Sequence, residues 1–224
     1  DHGEMLGEHG ELTHGLLPFA GARRVPLLLA GPGVPAGRTS NCLTATADVA
    51  PTLLALADVP LPGGLDGRAL VAGDVSAEAG DTADPANNCE RVAYSESFLP
   101  FYAYKWYPLR TLSDGRALFL QAPRPGLFRL DSDPGEARDL ALAEPALVQL
   151  WGSRLERLLA AAGEQLAEAQ APQATLDEEQ RRQLASLGYL SGAGAASAMV
   201  AGDLPDPRHR VEIAQALHTA AARV

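Results

Sequence analysis

The chain is 224 residues long, 46% hydrophobic and 21% charged, with a formal net charge of −10. That length holds one substantial core and a smaller appendage, while the acidic balance argues against a nucleic-acid or anionic-membrane surface. No apolar run in the sequence approaches the ~18 residues a membrane helix needs, and the two cysteines, Cys42 and Cys89, imply no disulfide framework, although they can pair in an oxidising compartment.

The chain opens on Asp1-His2-Gly3-Glu4-Met5-Leu6-Gly7-Glu8-His9-Gly10, with His14-Gly15 close behind, and this is neither helix nor strand text. A carboxylate and an adjacent imidazole can reach one divalent ion from a turned backbone, which Gly3 permits. The pair suits zinc, manganese or iron better than calcium. Two ligands do not make a site, so at least one more must come from elsewhere. His14 is a candidate for that ligand or for a hydrogen bond to an anionic substrate. Taken alone, an Asp-His pair is more often a solvated terminus, and His9 a loop histidine. The start at Asp1 with no initiating Met leads us to expect a fragment, on which the lack of a signal peptide is uninformative.

Val25 to Ala30 is an uninterrupted apolar run closed by Gly31-Pro32-Gly33, the pattern of a strand buried on both faces in a parallel sheet. Asp48 is placed to cap a helix through Leu53, Leu54 and Leu56, with Pro51 tolerated in its first turn. The turn-rich stretch 60–67 ends that helix. Residues 1–75 therefore read as the closing part of an α/β domain. Residues 73–88 are small, acidic and polar, an exposed loop. From Val92 to Leu130 short strands are predicted. Leu109–Leu112 and Ala117–Leu120 flank the hairpin turn Ser113-Asp114-Gly115, and Leu127–Leu130 follows. Leu147, Leu150, Trp151, Leu155, Leu158 and Leu159 share one helical face. Residues 76–164 thus form a small antiparallel β subdomain with a packing helix.

The stretch 165–205 reads as linker with one short helix, opened by the capping box Thr175-Leu176-Asp177-Glu178 and ending near Gly188. Gln165 to Thr175 and Gly192 to Gly202 are its linker parts. Asp206-Pro207 opens a last helix with Val211, Ala214, Leu217 and Ala221 at helical spacing, the start of a helical region at 206–224.

The opening string, followed by Arg24-Val25-Pro26-Leu27-Leu28-Leu29-Ala30-Gly31-Pro32-Gly33-Val34, resembles the sulfatase branch of the alkaline phosphatase superfamily. The likeness continues through Asp48-Val49-Ala50-Pro51-Thr52-Leu53-Leu54 and Leu65-Asp66-Gly67-Arg68. It extends to Leu127-Phe128-Arg129-Leu130-Asp131-Ser132-Asp133-Pro134-Gly135-Glu136, and covers roughly residues 1–160. It implies an α/β fold: the C-terminal part of an alkaline-phosphatase-like α/β/α domain, a small antiparallel β subdomain with helices, then a helical tail. Leu176 to Tyr189 is similar to the segment that follows the sulfatase domain in bacterial enzymes carrying tetratricopeptide repeats, and Asp206-Pro207-Arg208 to the beginning of such repeats. One helix does not establish a repeat.

Carried over by position, the resemblance makes Asp1 and His2 the late pair of metal ligands and His14 a contact to the substrate anion or to a second metal. Many sulfatases have Asp-Asn at the pair and hold calcium. His2 is instead similar to phosphonate monoester hydrolases, lipoteichoic-acid synthases and phosphoethanolamine transferases, several of which use manganese or zinc. The cofactor is therefore one divalent ion, calcium if sulfatase-like and manganese or zinc as the alternative. The family's nucleophile becomes formylglycine within Cys/Ser-x-Pro/Ala-x-Arg, and neither Cys42-Leu43-Thr44-Ala45 nor Cys89-Glu90-Arg91-Val92 fits that motif. It is expected upstream of this chain, as are further metal ligands.

Three functions stay open: a sulfuric ester hydrolase present as a fragment, a phosphonate or phosphate ester hydrolase or phosphoethanolamine-type transferase on the same fold, and a catalytically silent interaction module. The first two imply a sulfate or phosphate ester substrate, and all allow a protein partner on the helical tail. The resemblance favours a periplasmic, secreted or membrane-anchored location.

Overall fold

A computed structural model describes residues 2–37, 39–40, 42–70, 91–168 and 204–221. Its centre is an antiparallel sheet of β1 (Ala93–Ser97), β2 (Leu109–Ser113), β3 (Ala117–Gln121) and β4 (Gly126–Arg129), in the order β1-β2-β3-β4. The expected hairpin is β2–β3. Asp114 Oδ1 accepts from the N–H groups of Arg116 and Ala117, each at 2.8 Å, and Gly115 takes the positive φ of 87° that the turn requires. The register sets Thr111 opposite Leu120 and Leu112 opposite Phe119, so alternate side chains serve two cores.

One face carries Leu109, Leu118, Leu120 and Phe128. It is covered by Met5, Leu16, Leu17 and Phe19 from the N-terminal loops, by Trp106, and by Val211 and Ala214. The other face carries Leu112, Phe119 and Leu127 beneath Trp151 and Leu155. Those two residues lie on a helix spanning Pro145–Glu168. It runs past Leu159 into the Ala/Gln-rich stretch read as linker, because Ala and Gln are strong helix formers. Leu150, assigned to the buried face, is 58% exposed. Trp151 and Leu155 sit four apart and define the face, which leaves Leu150 rotated off it.

Taken in chain order, the helices among the described residues are α1 (Ala20–Arg23), α2 (Val49–Leu56), α3 (Leu99–Tyr104), α4 (Pro145–Glu168) and α5 (Val211–Ala221). Asp206 does begin the last helical segment, but as the cap of a single 3-10 turn, Pro207–His209, where it accepts from the Arg208 N–H at 3.0 Å. The α-helix starts at Val211. Residues 204–221 pack into the first core: Val211 and Ala214 are buried there, and Tyr107 N–H donates to the Pro205 carbonyl at 2.9 Å.

Two expectations are corrected. Val25–Ala30 forms no strand; it has no regular secondary structure, and Leu28 is 85% exposed. A strand exists only through hydrogen bonds to neighbours, and none pairs with this run among the described residues. Asp48 precedes α2 but caps none of its N–H groups. Its carboxylate turns the other way, accepting from Ala45 N–H at 2.8 Å, Arg68 N–H at 2.9 Å, and both Arg91 Nη atoms at 2.6 and 3.1 Å. The expected loop at 73–88, the capping box at 175–178 with its helix to Gly188, and the linker at 192–202 lie outside the described residues.

The Asp-Pro-Gly-Glu turn after β4 ties this sheet to the N-terminal loops. Asp133 accepts from the N–H groups of Ala137 and Arg138 at 3.1 and 2.7 Å. Glu136, in the left-handed region at φ 57°, then buries its carboxylate against the Ala20 N–H at 2.6 Å and the Arg23 guanidinium. This sequence motif is an architectural joint.

Candidate functional site

The opening residues fold back on themselves. Gly3 N–H donates to Ala22 O at 2.8 Å, Met5 N–H to Thr13 O at 2.9 Å, and Gly7 N–H to Glu11 O at 2.9 Å. Met5 is fully buried and anchors this loop in the core. Its first strand-like piece lies very close to α1: a Cβ at Gly3 would fall 2.1 Å from Gly21 O, and one at Gly21 would fall 2.6 Å from Met5 Sδ. Gly3 therefore requires glycine, because its neighbour is backbone, whereas a side chain at Gly21 would require the Met5 thioether to shift.

This folding brings together two of the three residues singled out from sequence. The His2 and His14 rings stack with centroids 4.0 Å apart and planes at 28°. His2 Nδ1 lies 3.0 Å from the Gly3 carbonyl. His14 Nδ1 sits 3.1 and 3.3 Å from the two oxygens of Glu4. A carboxylate only accepts, so His14 Nδ1 carries the proton and the ring is oriented by Glu4, as carboxylate–imidazole pairs commonly are at functional histidines. All three side chains are exposed. Asp1 lies outside the described residues, and among the described residues no group of three His, Cys, Asp or Glu side chains could hold a metal ion.

The loop between the histidines is closed by Glu11, which is 2% exposed. Its two oxygens accept from Leu16 N–H at 2.9 Å and Leu17 N–H at 2.8 Å. Burial pushes this carboxyl above its ordinary value of 4.5, with the two N–H donors acting in the opposite sense. The native state thus takes up the Glu11 proton before the unfolded chain does, and acidification from neutrality through that raised value relieves a burial cost. Replacing Glu11 by Ala leaves two buried N–H groups unpaired and is expected to cost about 2 kcal/mol. Thermal unfolding at neutral pH checks this, and a melting temperature equal to wild type would refute it.

On its far side the loop is clasped by the sheet. Ser97 Oγ donates to the Gly15 carbonyl, and Leu99 Cδ2 lies 3.2 Å from where a Gly15 Cβ would stand. His9 faces the other way: its ring stacks on Phe19 at 3.8 Å and its Nε2 donates to Gly135 O at 3.0 Å. It therefore joins no cluster with His2 and His14. A cleft of about 220 Å³ opens beside His9, but its charged groups are already spoken for, Glu136 by Arg23, Arg208 by Asp206 and Asp139 by the N–H groups of Leu127 and Ala141. Arg24 is exposed, in the linker to the Val25–Ala30 run. Cys42 is disulfide-bonded.

Sequence reasoning did not find Glu4, Glu11 or Ser97. Glu4 had a signal, being a carboxylate between two histidines. Glu11 had none, because a buried carboxylate reads like a solvated one, and Ser97 lies 82 residues from its partner.

No family model matches the chain. It is similar to arylsulfatase K of Danio rerio, 33% identical over 156 residues that cover 66% of this chain and 28% of the relative. With arylsulfatase K of Homo sapiens it is 29% identical over 167 residues, 71% of this chain and 30% of that protein. An extracellular sulfatase SULF-1 homolog of Drosophila melanogaster is 39% identical over 71 residues, 32% of this chain and 6% of the relative. The chain thus spans under a third of each relative's length. Among solved structures, it superposes on a 2-O GAG sulfatase with a TM-score of 0.57 at 19% identity, covering 75% of this chain and 36% of the other. A protein in complex with its substrate D-glucosamine-2-N,6-O-disulfate gives a TM-score of 0.53 at 21% identity, over 77% and 34% of the two chains. These two likenesses are of fold.

Proposed function

The chain belongs to the sulfatase family, and from that premise we propose that it supplies two metal ligands and an ester contact to a sulfuric ester hydrolase. Asp1 and His2 hold one divalent cation, and His14 meets the anionic ester. The observation that supports this most directly is the His2–His14 stack at 4.0 Å with Glu4 behind His14. It sets two imidazoles and a carboxylate together, all three exposed.

The donor chemistry fits a divalent cation: an imidazole with a carboxylate beside it in sequence, and the remaining ligands assigned to other parts of the enzyme. Calcium is the sulfatase-like choice, with manganese or zinc the alternative that an imidazole ligand suits better. When bound, the cation offsets charge on the ester's nonbridging oxygens. The chain's own residues do the rest of what is assigned here. Gly3 and Gly21 let the His2 backbone sit against α1, Glu11 closes the loop that carries His14, and Glu4 holds the His14 ring through Nδ1; a substrate oxygen only accepts, so the ring meets it as an imidazolium that donates from Nε2. We place the nucleophile outside this chain. Cys42 is disulfide-bonded, hence not a thiol available for conversion to formylglycine, and Cys89 lacks the flanking motif.

The substrate class is a sulfate ester, with the sulfated amino sugar of the structural relative as guide. We place the protein in an oxidising compartment outside the cytosol, periplasmic, secreted or membrane-anchored; the disulfide and the extracellular relative support this. Among the described residues no helix is long and apolar enough to cross a membrane.

The test is metal content and turnover measured together. In the enzyme containing these residues, His2→Ala is expected to remove bound metal and aryl sulfate hydrolysis in parallel, while the isolated chain hydrolyses an aryl sulfate negligibly. Full metal occupancy in His2→Ala would show the ligand assignment to be wrong, and robust turnover by the isolated chain would show that the nucleophile was misplaced.

A further inference from the structure

Gly7, His9 and Gly10 have positive φ values of 119°, 50° and 82°. Two of them are glycines, but His9 is held in the left-handed region against its preference, so this loop depends on contacts from outside. One side is gripped by Phe19 and Gly135 through the His9 ring. The other is gripped by α5: Gln215 Nε2 donates to the Gly10 carbonyl, and a Val211 methyl lies 3.8 Å from where a Gly10 Cβ would stand.

The segment making that second grip is itself anchored. Arg208 is bound by the Asp206 carboxylate and donates to the Arg124 carbonyl, and Val211 and Ala214 lie in the same core as Met5, Leu16 and Leu17. From Gly10 a short series of hydrogen bonds leads to the His14 loop. Gly10 N–H donates to Gly7 O at 3.0 Å, Gly7 N–H to Glu11 O at 2.9 Å, and the Glu11 carboxylate closes residues 11–17 around His14.

We propose that Gln215 is a positioning residue for the site: its bond to Gly10 sets the loop that presents His14, which makes segment 204–221 part of the site's scaffold. The proposal rests on His14 being the ester contact. Contiguous hydrogen bonds and packed side chains are the physical route by which such a remote contact acts.

The experiment is NMR of the whole chain, reading the histidine ring signals and amide hydrogen exchange in Gln215→Ala and Gln215→Glu. The second keeps the side chain's length, but a carboxylate does not donate to a carbonyl, so it separates loss of the donor from loss of packing. Both variants are expected to move the His14 ring signals and to speed exchange at Leu16 and Leu17 about tenfold, the equivalent of one hydrogen bond. Leu118 and Leu120 in β3 are expected to keep their protection, and Ile213→Ser, on the exposed side of α5, to leave the loop unchanged. Wild-type His14 signals and loop exchange in both Gln215 variants overturn the proposal. Uniform acceleration that includes Leu118 and Leu120 also overturns it, since that marks a general stability role. Titrating the wild-type chain with inorganic sulfate checks the His14 reading by itself: an unresponsive His14 ring defeats the ester contact, whatever the Gln215 variants do to the loop.

Discussion

Arg91→Met is expected to destabilise the protein by about 3–5 kcal/mol at neutral pH, the cost typical of leaving one member of a buried ion pair uncompensated. Asp48 is 0% exposed and holds four donors, two of them from the Arg91 guanidinium. Burial alone would push this carboxyl up. The Arg91 guanidinium and the N–H groups of Ala45 and Arg68 outweigh it and hold the group below its ordinary 3.8. A carboxylate so held contributes stability that is in place above 3.8 and is lost as pH falls through the native value. Without Arg91, burial dominates and the native carboxyl takes up its proton at higher pH. The gap between wild type and Arg91→Met should therefore be widest near neutrality and close on acidification. Denaturant unfolding of both proteins across that range measures it; a gap that is constant with pH would show that Arg91 acts by packing alone. The same cluster explains the Leu-Asp-Gly-Arg string. A Cβ at Gly67 would fall 1.9 Å from Ala47 O, so only glycine lets the following Arg68 N–H reach Asp48.

Gly3→Ala is expected to cost about 3 kcal/mol, at the upper end for overpacking, and to take the candidate site with it. The added methyl would sit 2.1 Å from the Gly21 carbonyl oxygen. The obstacle is backbone on both sides, so relief requires moving α1 away from the loop. That movement breaks the Gly3 N–H to Ala22 O bond at 2.8 Å and displaces His2, the next residue, from its stack on His14. The checks are the melting temperature and the His2 and His14 ring signals. Gly135→Ala serves as the contrast, because nothing lies within 4 Å of a Cβ there. If Gly3→Ala melts as Gly135→Ala does and shows the same His2 and His14 ring signals, the close approach is not what holds this loop.

The elements legible in the sequence are those whose cause is local. Ser113-Asp114-Gly115 specifies a turn through an aspartate that caps two N–H groups and a glycine that accepts positive φ, so the hairpin is set within a dozen residues. Leu109–Leu112 and Ala117–Leu120 are runs of strand length flanking that turn, and the spacing of Trp151 and Leu155 follows from the helical period. The resemblance to sulfatases was legible for a similar reason, since it is carried by short strings read in order. His2 and His14 were singled out from such strings, and the fold then sets their rings together.

What the tertiary structure decided depends on residues far apart in the chain. Val25–Ala30 has the text of a buried strand, yet burial needs hydrogen-bonding neighbours that no property of those six residues supplies. Asp48 has the text of a helix cap, but a guanidinium 43 residues away and the N–H beside Gly67 are better partners than the first turn of α2. Glu11 and Glu136 look solvated and are buried, because each meets N–H groups that only the folded chain presents. Gln215 looks like an exposed helical glutamine and reaches Gly10 across 205 residues. Local backbone preferences determined the β2–β3 turn and the buried face of α4. Which charged groups became buried, and which loops were held still around the two histidines, was decided by partners that only the folded chain brings within hydrogen-bonding reach.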